Sequence, residues 1–243
     1  SVMLEKLLED GSRQAGYYAQ AYRFFEAGNM VAYLFSVLLL PIFSKMIKEK
    51  QVLNGIIDIS IKIMFSGAII LSVLCFQFGE EILNWRYHDL SHQSVHLFSV
   101  LMFCFVCISS TYVFGTLLTA NGDLRVLNLL AGSAVVVNIG LNLLFIPIWQ
   151  ALGSAVASLI TQLMVSIVQI IVCKKKFDIH TTFIGFTQFL CFVFGVLSIS
   201  YLSYLYVSNW VVAMGVFVLS SFAFASFIRM IPIKRMIYIV RNE

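Results

Sequence analysis

Seven apolar segments, each long enough to cross a lipid bilayer as an α-helix, divide this chain from end to end. The hydrocarbon core of a bilayer is about 30 Å thick, and a helix needs about 20 mostly apolar residues to span it. The longest connection between segments, EEILNWRYHDLSHQS, is too short to fold as a catalytic domain. The sequence therefore predicts an all-α integral membrane protein with one spanning domain. The predicted spans are 17–44, 56–79, 95–119, 126–149, 151–173, 183–207 and 210–228.

Composition supports this class and argues against a soluble protein. Charged residues make up 12% of the chain, about half of the roughly 25% that is typical of soluble domains. The five cysteines all fall in apolar segments, which predicts reduced packing residues. Cys104 and Cys107 form a C-x-x-C pattern, but redox chemistry needs an accessible thiolate and this pair lies within a span. We therefore predict no disulfide framework and no redox site.

The distribution of lysine and arginine predicts the orientation of the spans. Eleven of the sixteen basic residues fall on one side of the membrane if every segment crosses it, and only Arg13 and Arg86 are assigned to the other. Cytoplasmic loops carry such an excess, so the basic side and the C-terminus are predicted to be cytoplasmic. The bias accounts for the net charge of +4 without nucleic-acid binding. The eleven residues are Lys45, Lys48, Lys50, Arg125, Lys174, Lys175, Lys176, Arg229, Lys234, Arg235 and Arg241.

The first span carries two charges, Arg23 and Glu26, at i,i+3 spacing. A charged residue at the centre of a membrane helix costs roughly 2.5–3.5 kcal/mol on insertion scales, so it normally faces protein or a water-filled cavity. Helical periodicity places Tyr22, Glu26 and Asn29 on one stripe, with Arg23 beside it. The alternative is that both charged side chains extend to the outer interface, because they lie in the first turns of the span.

Two further polar pairs lie within predicted spans. Asp58 and Lys62 have the favoured acid-before-base i,i+4 spacing, which predicts a local ion pair or a role in gating or ion coupling. Asn138 and Asn142 lie one turn apart on the fourth span. Interhelical hydrogen bonds by such side chains contribute roughly 0.6–2 kcal/mol in membranes, so we expect them to pack helices.

Other candidate sites are weaker. His88, His92 and His96 recur every four residues, but no completing ligand is apparent and we predict no metal site. No nucleotide-binding loop, cofactor motif or catalytic residue is apparent, so the sequence does not predict an enzyme. Five aromatic residues at the predicted outer ends of spans indicate the usual interfacial belt. These are Trp85, Tyr87, Trp149, Tyr206 and Trp210.

Two blocks of sequence resemble a known transporter family. The first, GYYAQAYRFFEAGNMVAYLFSVLLLPIFSKM, carries a Gly-x-Tyr-x-x-Ala opening and a Pro-x-x-Ser-Lys close. The second, LLTANGDLRVLNLLAGSAVVVNIGLNLLFIPIWQALGSAVASLITQ, has a small-polar turn, two asparagines, Ile-Pro and a glycine-containing helix start. Both resemble polysaccharide flippases of the multidrug/oligosaccharidyl-lipid/polysaccharide exporter superfamily. The matching residues are Gly16, Tyr18, Ala21, Pro41, Ser44, Lys45, Asn121, Gly122, Arg125, Asn138, Asn142, Pro147, Gly153 and Ala155.

The resemblance implies a domain organisation. Members have two related lobes, and this chain resembles the second, so residues 1–16 are expected to be the end of an upstream helix and an outer loop. Residues 17–228 would form a seven-helix C-terminal lobe, and residues 229–243 a basic interfacial tail on the cytoplasmic side. The missing N-terminal lobe would be a partner, and we expect this chain alone not to flip substrate.

The resemblance also implies a function. The substrate would be a polyprenyl-diphosphate-linked oligosaccharide, turned across the plasma membrane for cell-surface polysaccharide synthesis by alternating access between lobes. Arg23 would hold the diphosphate, with Glu26 orienting Arg23 or coupling to an ion, and Tyr22 and Asn29 would line the same site. Three alternatives remain: a drug/cation antiporter of the same superfamily, a membrane glycan polymerase or ligase, and a structural assembly subunit. The absence of acidic residues in mid-span argues against the first, and the short loops argue against the second.

Overall fold

The computed structural model describes residues 2–87, 92–179 and 183–230, and every regular element in these ranges is an α-helix. Six helices are long and apolar enough to cross a membrane, which confirms the predicted all-α, multi-pass architecture. The helices are α1 (Val2–Leu7), α2 (Gly11–Lys48), α3 (Asn54–Gln77), α4 (Gly79–Arg86), α5 (His92–Ala120), α6 (Leu124–Phe177), α7 (Phe183–Tyr206) and α8 (Trp210–Phe227).

The longest helix, α6, consists of two spans that fold back on each other. Gln150, near its middle, has a non-helical backbone with φ 54° and ψ −131°. The Asn138 amide donates to the Thr161 hydroxyl over 3.3 Å, whereas continuous helix would separate these positions by about 35 Å. The first half of α6 (124–149) is therefore antiparallel to the second half (151–177). The two halves and the other five long helices correspond to the seven predicted spans.

Contacts between neighbouring helices show that successive spans alternate in direction. Helices α2 and α5 are parallel, because Phe24 packs on Phe98 near their starts and Ser36 hydrogen-bonds Thr116 towards their ends. Helix α3, which lies between them in the chain, crosses in the opposite direction: the ring of Phe98 lies beside Gly79, immediately after α3. This is the order expected of consecutive membrane crossings.

The same alternation continues to α7 and defines two ends of the bundle. Helices α3 and α7 are parallel, since Phe65 contacts Phe189 and Phe78 contacts Tyr204, with ring centroids 5.8 and 5.9 Å apart. We call one end the amide end, because Gln14 and Gln150 meet there. The other is the lysine end. The amide end contains the described residues 11–17, 78–87, 92–98, 145–153 and 204–210. The lysine end contains 44–54, 120–125 and 174–178.

The last two spans form a tight hairpin. Asn209 caps α8, because its side-chain oxygen accepts hydrogen bonds from the backbone N–H groups of Val211 and Val212. Gly195 of α7 lies directly against the ring of Phe224 of α8, where a Cβ would come within 2.1 Å of a ring carbon. Small residues allow such close approach of membrane helices.

Helix α5 is the centre of the bundle and packs against α2, α3 and α6. Phe98, Leu101, Met102 and Leu117 of this helix are completely buried. A second apolar cluster joins α3 to α7 and α8. Helices α2, α3 and α6, which carry most of the candidate site residues, therefore each pack against α5.

The outer surface of the bundle is as apolar as its interior. Leu38, Val136 and Leu219 are 67%, 72% and 74% exposed. A soluble monomer rarely exposes large contiguous apolar patches, whereas lipid chains solvate such side chains without cost. The exposed apolar side chains are therefore typical of a protein surface that faces lipid.

Two predicted boundaries differ from the structure. Helix α2 begins at Gly11, so residues 11–16, which the sequence places in a loop, form its first turns. The connection between α3 and α5 contains a short helix, α4, where the sequence predicts only loop. Residues 231–243, most of the predicted basic tail, lie outside the described residues.

Candidate functional site

Arg23 lies on the open face of α2, away from the bundle. The packed face of this helix is formed by Ala21, Phe25, Gly28 and Ala32, all of which are buried. Arg23 is exposed and lies about 180° around the helix from the centre of that packed face. No described part of this bundle covers the guanidinium group.

The position of Arg23 along α2 fits both predicted environments. Gln14, earlier on α2, bonds Gln150, which follows the belt residue Trp149. Arg23 is nine residues further along, about 13 Å of helix from this level. A guanidinium at this position either extends back towards the interface or enters a hydrated space beside α2.

The other residues predicted for this site lie close to Arg23 along α2. Glu26 is exposed, and the two charged groups form no ion pair in the described structure. Tyr22 is 41% exposed and packs between Tyr18 and Phe25. The Oδ1 atom of Asn29 is buried and accepts no hydrogen bond from a described residue. This stretch of α2 therefore presents several hydrogen-bonding groups that the bundle itself does not use.

Asp58 and Lys62 form the predicted local pair. The Lys62 ammonium donates to the Asp58 carboxylate over 2.8 Å. Both groups are on one turn of α3 near the lysine end, and the Asp58 side chain is 49% exposed. The geometry fits a local ion pair, and a role in gating or ion coupling stays a prediction.

Asn138 and Asn142 join the two halves of α6. The Asn142 amide donates to both the backbone and the side-chain oxygen of Asn138, at 2.8 and 2.9 Å. Asn138 in turn donates to Thr161 across the reversal. These bonds match the predicted packing role.

The reversal of α6 is built by residues that sequence reasoning did not identify as a site. The buried Gln14 donates to Oε1 of Gln150 at 2.8 Å and accepts from the Ala151 backbone N–H at 3.4 Å. It thereby caps the first N–H of the second half-helix. The backbone of Gln150 lies in a region that glycine adopts freely, so a glutamine there is strained by roughly 1–3 kcal/mol.

A cavity of about 250 Å³ opens beside this reversal at the amide end. Its polar lining consists of Gln14, Gln93 and Gln150, and its aromatic lining of Tyr17 and Trp149. Sequence reasoning assigned Trp149 to the interfacial belt alone. The sequence signal for the reversal was Gln150, which lies between Pro147 and Gly153, because proline and glycine at this spacing interrupt helices.

A second feature missed by sequence reasoning ties the lysine end together. Asp123, in the turn between α5 and α6, forms an ion pair with Lys176 at the end of α6 and accepts from Asn121 at 2.8 Å. Partial burial alone would raise the Asp123 pKa. The hydrogen bonds from Lys176 and Asn121, together with the Lys176 charge, lower this pKa below its ordinary value.

We expect Asp123→Asn to destabilise the bundle at pH 7 and to do so less in acid. A carboxylate whose pKa is lowered on folding stabilises the fold above its unfolded pKa, about 3.9, and this contribution is lost as pH falls through the folded pKa. The expected loss is below about 1 kcal/mol because the pair is at the surface. Thermal unfolding in detergent at pH 7 and pH 3 measures it. The control is Asp123→Asn in a Lys176→Met background, and an equal loss of stability with and without Lys176 would contradict the assignment.

The remaining candidates lie apart from these features. His88 and the side chain of His92 are outside the described residues, and His96 is exposed. Cys104 is buried and Cys107 half-buried, and all five cysteines are unpaired. The belt residues Trp85 and Tyr206 are 72% and 77% exposed at the amide end, as predicted for an interface.

The chain matches no family model and no curated protein sequence.

Proposed function

We propose that this chain is one lobe of a transporter that flips polyprenyl-diphosphate-linked oligosaccharide across the plasma membrane. The observation that carries the proposal is Arg23, an arginine on a helix that is long and apolar enough to cross a membrane, on a face that its own bundle leaves open. Lipid chains cannot compensate the charge. A second lobe that faces α2 across a hydrated cavity would compensate this charge. A diphosphate in that cavity would bind the guanidinium through two hydrogen bonds.

Glu26 and Asn29 suit the same cavity. Neither is bonded to Arg23 among the described residues, so both remain able to contact substrate, water or an ion. Asn29 offers a buried acceptor without a donor, which is costly unless a ligand or water satisfies it. Glu26 would orient Arg23 in another conformation of the cycle or take part in ion coupling.

The two blocks that resemble polysaccharide flippases fall on structurally distinctive elements. The first is α2 itself, which carries Arg23. The second contains the whole reversal of α6, with its proline, strained glutamine and Gly153. Many transporters consist of two repeats that rock against each other around a fixed site.

We expect the lysine end to be cytoplasmic, because basic residues concentrate there. The test is labelling of intact cells with a membrane-impermeant thiol reagent, on a cysteine-free background. Asn84→Cys at the amide end should react, and Lys48→Cys should react only after the cells are opened. The reverse pattern would contradict this orientation.

The proposed activity is tested in proteoliposomes with a fluorescent polyprenyl-diphosphate-linked disaccharide and an impermeant quencher. Because one lobe alone is expected not to flip substrate, the protein is supplied with its partner lobe. We expect the pair to expose the inner-leaflet label faster than denatured protein does. Fluorescent phosphatidylcholine is the matched control and should not be flipped. No acceleration, or equal flipping of both lipids, would contradict the proposal. Efflux of a cationic dye instead would identify the drug/cation antiporter.

A further inference from the structure

We propose that the cavity beside the α6 reversal binds one neutral sugar ring. This inference rests on the proposed function, because it assigns a site for the saccharide part of the same substrate. The diphosphate site proposed above lies on α2 around Arg23, whereas this cavity lies at the amide end, nearer the predicted outer surface. The two would hold different parts of one lipid-linked molecule, or the same molecule at different stages of transport.

The chemistry of the lining favours a sugar. Carboxamides both donate and accept hydrogen bonds, as vicinal hydroxyl groups do, and Gln14, Gln93 and Gln150 line the cavity. Gln14 is bonded to Gln150 and to the Ala151 backbone, so the NH₂ group of Gln150 is the donor that this arrangement presents to a ligand. Trp149 and Tyr17 supply flat apolar surfaces on which the C–H face of a pyranose can pack. A few fixed polar groups on a largely apolar wall are the usual composition of a small-molecule site.

The same lining disfavours charged ligands. None of the described residues that line the cavity carries a charge. The nearest guanidinium, that of Arg13, is already engaged with the hydroxyl and the ring of Tyr17. The N–H of Ala151, which could otherwise attract a phosphate at the start of the second half-helix, is already bonded to Gln14. The volume of about 250 Å³ is just below the range of roughly 300–1,000 Å³ found for drug-sized ligands. It suits a single ring.

The backbone of Gln150 gives an independent reason to regard this as a binding site. Its φ of 54° and ψ of −131° would be unstrained for glycine and are strained for glutamine. The strain holds a carboxamide at the cavity wall, where its Oε1 accepts from the buried Gln14 and no described residue takes its NH₂ donors. Strained residues of this kind concentrate at binding and catalytic sites.

The test measures binding of free methyl glycosides to the purified full chain in detergent-free nanodiscs. Trp149 fluorescence reports occupancy once Trp85 and Trp210 are replaced by phenylalanine. The probes are the methyl glycosides of glucose, galactose, N-acetylglucosamine and rhamnose, with inorganic phosphate as the anionic comparison. We expect at least one glycoside to bind saturably and phosphate not to bind.

The variant Gln150→Gly separates binding from stability. It removes the carboxamide and the backbone strain together, so we expect the glycoside affinity to fall roughly tenfold while the melting temperature is unchanged or rises. Gln162→Ala, a glutamine on the same half-helix outside the cavity, should leave both unchanged. Trp149→Phe lacks the fluorescent indole, so its binding is measured by isothermal titration calorimetry. We expect it to keep part of the glycoside affinity because an aromatic ring remains.

The outcomes distinguish this inference from the proposed function. If lipid-linked saccharide is flipped but no glycoside binds, or Gln150→Gly binds as wild type does, the sugar site is wrong and the transport proposal stands. If glycosides bind through Gln150 but no saccharide lipid is flipped, the sugar site stands and the transport proposal is wrong. Phosphate binding in place of glycosides would also overturn the sugar site.

Discussion

Arg23→Ala should abolish transport of the saccharide lipid while leaving insertion into the membrane intact. Hydrogen bonds to charged groups contribute roughly 1.5–3 kcal/mol each, so losing a two-bond contact to a diphosphate should slow flipping at least about a hundredfold. Insertion should not suffer, since removing a charge from an apolar span makes insertion easier. Initial rates in the proteoliposome assay, normalised to protein in the membrane, measure the effect.

Arg23→Lys distinguishes a diphosphate contact from a general need for charge. Lysine keeps the positive charge but loses the planar pair of donors, so we expect a rate between those of wild type and Arg23→Ala. Arg86→Ala is the matched control. It also removes one exposed arginine, but from the short α4 at the amide end, and should transport normally.

Normal transport by Arg23→Ala at normal abundance would overturn the diphosphate site. The guanidinium of Arg23 would then be compensated by lipid headgroups at the interface. The topology of the spans would be unaffected by that result, because it depends on contacts between helices and not on the role of Arg23.

Much of the fold could be predicted because membrane insertion acts on local composition. Each span is recognised from about 20 consecutive apolar residues, with no knowledge of what it packs against. The predicted spans 126–149 and 151–173 meet at residue 150, where the structure has the reversal of α6. The start of α2 was missed because residues 11–16 are too polar for a span, although they continue the helix outside the bilayer.

The site residues were harder to predict because their contacts are distant in sequence. A local pair such as Asp58 and Lys62 follows from i,i+4 spacing alone. Gln14 meets Gln150 across 136 positions, and no local pattern indicates that pairing. Arg23 was recognised as unusual within its span, but only the packed face of α2 shows that it points away from its own bundle.

Gly153→Ala should be the most destabilising single methyl addition at the α6 reversal. A Cβ at this position would lie 2.2 Å from the carbonyl oxygen of Phe145 and 2.5 Å from its carbonyl carbon. Both atoms are backbone, which cannot move aside as a side chain can. Overpacking typically costs 1–3 kcal/mol, and we expect about 3 kcal/mol here, or a fall in melting temperature of roughly 6–12 °C.

Gly140→Ala is the matched control, because a Cβ there meets no atom within 4 Å. It lies on the first half of the same helix, where alanine is the better helix former, so its stability should be equal to wild type or slightly higher. Thermal unfolding of both variants in the same detergent measures the difference.

The Asn138–Thr161 bond and the Gln14 cap both require the tight turn, so Gly153→Ala should also weaken glycoside binding in the cavity. A Gly153→Ala protein as stable as Gly140→Ala would mean that Gly153 does not approach the Phe145 backbone as closely as described.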